Sequence, residues 1–411
     1  MSAQTRRTIW FLLVPLFLVV VFGLWGVRSF LTPAQGAVST VTPTQLARLA
    51  VPVQPNSLAW SADGRYLAAG TWGSTTDDAG SYEVYVVDVA KASVLTTLKP
   101  TSPVEGLAFS PDGKWLAVAG RPSIPVGGTP DSGTPAALVV YGVPAFTARF
   151  TARAGSPENG FIDLAWAADS KLLLAIDGPP DYTPGTAEVR RWAVPAFTEH
   201  EHPIRATQNA AYTALAMSRD GRTLAVVEPI KGTAARMIRL FDLGEGTERL
   251  SFKAGNNIEG VRLGFTPDGK AVGAFDTNRL SWWDVATGHP AEPRAARFTV
   301  QPAGLSNLGS RAAFSPNGGW SAWGFERHPG LGHLSLFEDE KEYGGFVKVT
   351  ESATGKSRTW RVSRAQYPPA VAFSPDGTRL AGTVWQPILP GSRPGSDSGL
   401  ILIWAVQKWC T

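Results

Sequence analysis

Cysteine is almost missing from this chain. Cys410 is the only one among 411 residues, so no internal disulfide and no CxxC metal site can form. Histidine is also scarce, with five: His200, His202, His289, His328 and His333. Only His200-Glu201-His202 brings two imidazoles close together. It is placed between a third and a fourth strand, where alternation would put both rings on one side as a surface metal site; the alternative is a solvated segment. His328 and His333 have no carboxylate pair at metal-site spacing. No phosphate-cradling P-loop occurs, and Gly319-Trp320-Ser321-Ala322-Trp323-Gly324 misses the spacing of a nucleophile elbow. Thr75-Thr76-Asp77-Asp78 is too short for a calcium loop. We therefore nominate no catalytic, cofactor-binding or metal-binding residue and expect a protein that is not an enzyme.

A basic surplus is lacking too. The chain has 38 basic and 34 acidic side chains, but Arg6, Arg7 and Arg28 account for three of the bases before residue 30. Beyond Arg28 the balance is +1. A nucleic-acid binder needs a basic face, so nucleic acid is not expected as a partner.

Long apolar runs are absent apart from one. Thr8–Val27 (TIWFLLVPLFLVVVFGLWGV) holds twenty residues without a charge, enough for a helix to span a bilayer core. Trp10 and Trp25 lie near its ends, and Arg6 and Arg7 precede it. The positive-inside bias puts the N-terminus in the cytoplasm and the rest of the chain outside. Residues 1–28 read as a transmembrane signal-anchor and 29–43 as a tether. The alternative is a signal peptide cleaved after Ala34-Gln35-Gly36. Both readings make the remaining chain extracytoplasmic, periplasmic or at the cell surface.

Turn formers and aromatics are plentiful: 43 Gly, 32 Pro and 15 Trp. One phrase recurs. LAWSADG begins at Leu58, LAFSPDG at Leu107, LAWAADS at Leu164, LAMSRDG at Leu215, LGFTPDG at Leu263, AAFSPNG at Ala312 and VAFSPDG at Val371. Spacings of 48 to 59 residues with short strands signal a propeller. Each unit reads as four strands. An apolar first strand meets a tight turn in which Pro presets φ, Asp caps the backbone and Gly accepts positive φ. Asp63, Asp112, Asp220, Asp268, Asn317 and Asp376 are these turn formers, and their repetition argues against catalysis. Third strands are β-branched and aromatic, as in Met237–Leu243 and Leu280–Val285; fourth strands are more polar, as in Val94–Lys99.

Over residues 44–411 the chain resembles the bacterial form of the WD40 repeat family. Trp283-Asp284 and Phe241-Asp242 match that family's Trp-Asp position, whereas its Gly-His dipeptide is missing from every unit. TolB-like repeats share the SPDG phrase, so a related propeller subtype also fits. The resemblance implies an all-β, seven-bladed β-propeller of four-stranded antiparallel blades, preceded by one N-terminal transmembrane helix. No fourth strand follows Leu400–Ala405, and Gln45–Val51 is expected to supply it.

In such a ring the connections from second to third strand share one face, and here they vary most. Arg121–Thr134 carries Arg121 and Asp131; Asp177–Thr186 carries Asp181 and Tyr182. Glu326–Tyr343 carries His328, His333, Phe337, Glu338, Asp339 and Glu340, and Gln386–Ser398 carries Arg393. Long loops on a rigid scaffold are where binding resides. The expected role is a membrane-anchored scaffold or accessory subunit that docks other proteins of an envelope complex. The alternative is a ligand-binding or enzymatic propeller, lactonase-like or quinoprotein-like, working through its central channel.

Overall fold

The computed structural model describes residues 43–72, 82–122, 136–179, 187–206, 212–230, 235–256, 262–266, 268–276, 279–291, 312–316, 319–327, 344–351, 356–363, 369–385 and 399–406, with Thr233 and Thr354. Their regular structure is entirely β, arranged in seven antiparallel sheets. The first sheet is Pro55–Trp60, Tyr66–Thr71, Val84–Asp88 and Ser93–Leu98. The second is Val104–Phe109, Trp115–Gly120, Ala137–Gly142 and Thr147–Arg153. The fourth runs Ala214–Met217, Thr223–Pro229, Ala235–Asp242 and Glu248–Asn256; the sixth runs Ala312–Phe314, Trp320–Arg327, Gly344–Glu351 and Ser357–Ser363. The seventh comprises Val371–Phe373, Arg379–Trp385 and Gly399–Ala405, and its outer strand comes from the other end of the sequence. Gln45–Val51 pairs antiparallel with Gly399–Ala405, from Gln45 opposite Trp404 to Val51 opposite Gly399.

Two sheets depart from the four-stranded expectation. The fifth shows three described strands, Arg262–Phe265, Ala271–Asp276 and Arg279–Asp284, followed by an isolated bridge between Trp283 and Pro290. In the third, Gly160–Trp166, Leu172–Gly178 and Glu188–Ala193 are followed by a broken outer strand, Thr198–Glu199 and Ile204–Arg205. Pro203 has no N–H for the ladder. Beside it the buried Arg191 donates from Nη2 to the His202 carbonyl at 2.7 Å. His200-Glu201-His202 is thus an exposed interruption within an outer strand rather than part of a strand, so alternation does not align its rings.

The repeated turn works as a hydrogen-bonded module. In the second sheet Ser110 Oγ donates to Asp112 Oδ1 at 2.6 Å and accepts from the Trp115 amide, while Asp112 Oδ1 also accepts from Lys114. Gly113 closes the turn at φ 71°, a conformation open to glycine at little cost. Asp63, Asp220, Asp268 and Asp376 repeat these bonds, with Thr266 replacing serine in the fifth unit. Asn317 lies outside the described residues.

Sheets join through apolar layers. Inner strands of successive sheets lie against one another in the order sixth, seventh, first, second, third, fourth, fifth. Leu107, Leu116 and Phe109 fill the layer between the first and second sheets; Trp166, Trp192 and Phe161 fill the next. Trp166 is fully buried and donates Nε1–H to the Ala108 carbonyl of the preceding sheet at 3.1 Å. Trp60 repeats this bond to Ala372. Asp163, at 0% exposure, accepts from its own neighbour Leu164 and from Leu215 of the fourth sheet, tying two inner strands together.

Candidate functional site

One end of each described sheet carries the turns just described. The opposite end carries the connections from second to third strand, and two residues there stand out. Trp72 and Arg121 are the first residues after the second strands of the first and second sheets. Trp72 is 45% exposed and is the only aromatic among the exposed large apolar side chains of the described residues. The Arg121 guanidinium reaches back across the junction and lies 4.9 Å from the Trp72 ring centroid, in cation–π range. Glu105, on the inner strand of the second sheet, supports it from below, with Oε2 3.7 Å from Arg121 Nη1.

The backbone fixes this geometry. Gly120, immediately before Arg121, has no room for a side chain: a Cβ would lie 2.0 Å from Ser102 Oγ and 2.8 Å from the Ala137 carbonyl oxygen. Glu105 is a bulge residue. The register between Val104–Phe109 and Trp115–Gly120 shifts between Val104 and Gly106, leaving Glu105 as the extra residue. Asn56 and Ile162 are the extra residues of the same bulge in the first and third sheets. Such bulges re-aim side chains. Asn56 Nδ2 donates to the Val104 carbonyl at 3.2 Å, linking the two bulges across the sheet junction. Strand alternation alone does not reveal these positions, because a bulge resets the period. It is also why the inner strands start three or four residues before the repeated phrase, at Pro55, Val104 and Gly160.

Two further polar clusters run from this end along the third and fourth sheets. Asp177 lies in the strand Leu172–Gly178 rather than opening a loop, and is buried. It accepts from Arg190 at 2.9 Å and from the Gly155 amide at 2.8 Å, while Arg190 also grips Glu199 at 2.6 Å. The fourth sheet repeats the clamp with Glu228, Arg239 and Glu248. The paired arginines hold the Glu199 and Glu248 carboxyls below their ordinary range. Each acid is matched and each arginine lies over an aromatic ring, Trp192 or Phe241, so these clamps brace the sheets. Glu326 and Arg327 likewise belong to a strand, opposite Gly345 and Gly344.

Of the residues the sequence nominates for contact, the structure places Arg121. Asp131, Asp181, Tyr182, His328, His333, Phe337, Glu338, Asp339, Glu340 and Arg393 lie outside the described residues. Among the described residues no three His, Cys, Asp or Glu side chains are grouped to hold a metal.

The turn aspartates have a measurable consequence. At Asp63, Asp112 and Asp376 burial pushes the carboxyl up, but the serine hydroxyl and backbone amides outweigh it; at Asp220 and Asp268 the hydroxyl bond leads. All five are held below the ordinary value. Their stabilisation is complete above the unfolded-state pKa near 3.9 and is lost as pH falls through the lower folded values. Urea midpoints are expected to stay flat from neutral pH to about 5 and to fall steadily below that. Asp112→Asn, which keeps an acceptor without the charge, should flatten part of that acid limb.

Comparison with known proteins agrees with this architecture. The WD domain, G-beta repeat model of the WD40 family matches residues 92–123, which span the outer strand of the first sheet and the two inner strands of the second. A chain of Kuenenia stuttgartiensis Hydrazine Synthase is similar in structure, with TM-score 0.56 and 15% identity over 84% of this chain and 96% of that one. At that identity the likeness concerns the fold. No curated protein matches the sequence.

Proposed function

Taking the chain as a WD40-like β-propeller protein, we propose that it is a non-catalytic docking module held outside the cytoplasm by its N-terminal apolar segment. Seven sheets close into a ring, and the face bearing the second-to-third connections binds other proteins of a membrane or envelope complex. Residues 1–42 lie outside the described residues, and among the described ones no helix is long and apolar enough to cross a membrane. The anchor therefore rests on the uncharged run Thr8–Val27 and the arginines before it.

The observation that carries the docking reading is the Trp72–Arg121 pair. Tryptophan and arginine are enriched at binding hot spots, the indole for its large rigid apolar area and the guanidinium for its planar array of donors. Here an exposed indole is held by a guanidinium that Glu105 positions. Trp72→Ala should leave stability within about 0.5 kcal/mol, as exposed positions do. It should weaken partner binding by about 2 kcal/mol or more, roughly thirty-fold. Titration of the purified partner against wild type and variant checks both. Unchanged affinity would remove Trp72 from the interface.

A second reading has one observation in its favour. Asn56 and Glu105 put polar side chains at the same bulge on adjacent inner strands, and Asn56 Oδ1 has no hydrogen-bond partner among the described residues. A small polar ligand at the channel mouth would meet these groups. Asn56→Leu separates the readings: it would abolish ligand binding and spare protein docking.

A further inference from the structure

The outer strands carry a second repeated bulge. In the second sheet the register slips between Val140 and Tyr141, leaving Arg149 as the extra residue. In the fourth it slips between Leu240 and Phe241, leaving Arg249. In the third the corresponding residue is His200, at the break in the strand, bonded through its amide to the Arg191 carbonyl. All three are exposed and polar, as a solvated rim requires. The first and seventh sheets have the same bulge and fill it differently. Leu95 is the extra residue between Thr96, opposite Val86, and Val94, opposite Val87. Leu46 is the extra residue between Gln45 and Ala47.

Those leucines are 46% and 53% exposed, and Val94 beside Leu95 is 38% exposed. Together they are every exposed large aliphatic side chain among the described residues. They lie on the outer strands of two neighbouring sheets, at the ends near the SPDG-type turns. The outer strand Ser93–Leu98 carries no charge at all, whereas Thr147–Arg153 carries two arginines and Ser357–Ser363 two more. Arg48 and Lys91 are exposed beside the apolar residues. Of the nearby carboxylates, Asp63 is taken up by its own turn, Asp376 by its turn and by Arg379 at 3.7 Å, and the buried Asp88 accepts from the Lys91 amide and lies 3.9 Å from the Lys91 ammonium, whose side chain stays 72% exposed.

The chain enters the sheets at this corner, where the Thr44 carbonyl accepts from the Ala405 amide two residues before Leu46. Fourteen residues, 29–42, separate that corner from the end of the apolar run and Arg28. Even fully extended, fourteen residues span at most about 50 Å, against a radius of gyration of about 21 Å for a domain of this size. On the anchored reading the corner is the part of the sheets joined to the bilayer by the shortest stretch of chain. Apolar side chains flanked by cations are the chemistry of an anionic membrane surface.

We propose that Leu46, Val94 and Leu95, flanked by Arg48 and Lys91, seat this corner of the first and seventh sheets on the headgroup boundary of the membrane. The proposal rests on the anchored reading above. It makes the tether and the corner a two-point attachment that fixes the orientation of the sheets and turns the docking face away from the lipid.

The test uses the full chain with Cys410→Ser, reconstituted into phosphatidylglycerol and phosphatidylethanolamine vesicles. Leu95→Cys is labelled with an environment-sensitive dye; Arg249→Cys, the equivalent bulge of the fourth sheet, is the control. Cooperative unfolding of each labelled protein confirms its fold. The expected result is a blue-shifted dye at position 95 that loses emission to headgroup-region quencher lipids, and an unshifted, unquenched dye at 249. A chain that floats with the vesicles while position 95 stays unquenched overturns the seating and leaves the anchor standing. A dye that is blue-shifted but unquenched means that protein, such as a second copy pairing along the uncharged edge, covers the corner instead. A chain that does not float refutes the anchor and the seating with it.

Discussion

Replacing residues 44–51 by a flexible Gly/Ser linker of equal length is expected to cost most of the stability of the sheets, although it alters barely one strand in twenty-eight. Gln45–Val51 is the outer strand of the seventh sheet, and its partner Gly399–Ala405 lies more than three hundred residues along the chain. The change removes the buried side chains of Leu49 and Val51, which sit in the layer shared by the first and seventh sheets. Burying two such side chains is worth about 3–6 kcal/mol, and the lost ladder adds roughly 0.5–1.5 kcal/mol per net hydrogen bond. Typical domains have about 5–15 kcal/mol in all. The edge of Gly399–Ala405 would also be left open, inviting aggregation. Denaturant unfolding of the detergent-solubilised chain checks this. A fall of about 1 kcal/mol or less, comparable to an ordinary surface change, would mean that the strand is ornamental to the closure.

The second large effect is at Trp166. Trp166→Ala is expected to cost about 3–5 kcal/mol, because a fully buried indole leaves a cavity between the second and third sheets. Trp166→Phe keeps most of the volume and loses the bond to the Ala108 carbonyl, so about 1–3 kcal/mol is expected from that orphaned acceptor and reduced packing. The ordering wild type, Phe, Ala in unfolding midpoints is the check. Equal costs for the two variants would mean that the hydrogen bond, not the filled layer, joins the sheets.

The two halves of this protein were not equally legible from its residues. The turn end follows from local chemistry: Ser110, Asp112 and Gly113 satisfy one another within six residues, so a short phrase suffices to place them. The closing strand was legible because Gln45–Val51 reads as a strand standing ahead of the first repeat, and it pairs with Gly399–Ala405. The opposite end is built from longer-range terms. Glu105 and Asn56 are aimed by bulges whose position depends on the neighbouring strand, so no period in the sequence marks them. Arg191 is buried and spends its guanidinium on the distant His202 and Leu243 carbonyls, beside the break in the outer strand. Asp177 reads as the start of a loop because a carboxylate followed by Gly-Pro-Pro is ordinary loop chemistry, whereas it pairs with Phe161 and Glu188 in the sheet and its buried carboxylate is matched by Arg190, Gly155 and Asn159. Arg121 was nominated for the loop it begins, whereas its contact is with Trp72 of the preceding sheet. Trp72 itself follows a strand directly, where an indole reads as core.

Whether this face binds a protein is the central question for the molecule. The direct measurement is purification of the full chain from its native membranes in mild detergent, with mass spectrometry of what accompanies it at fixed stoichiometry. A double variant, Trp72→Ala with Arg121→Glu, is carried through in parallel. A stoichiometric partner is expected with the wild type and its loss with the double variant, which still unfolds in a single cooperative step although a like charge now faces Glu105. A wild-type protein that emerges alone, or a partner retained by the double variant, would contradict the docking reading.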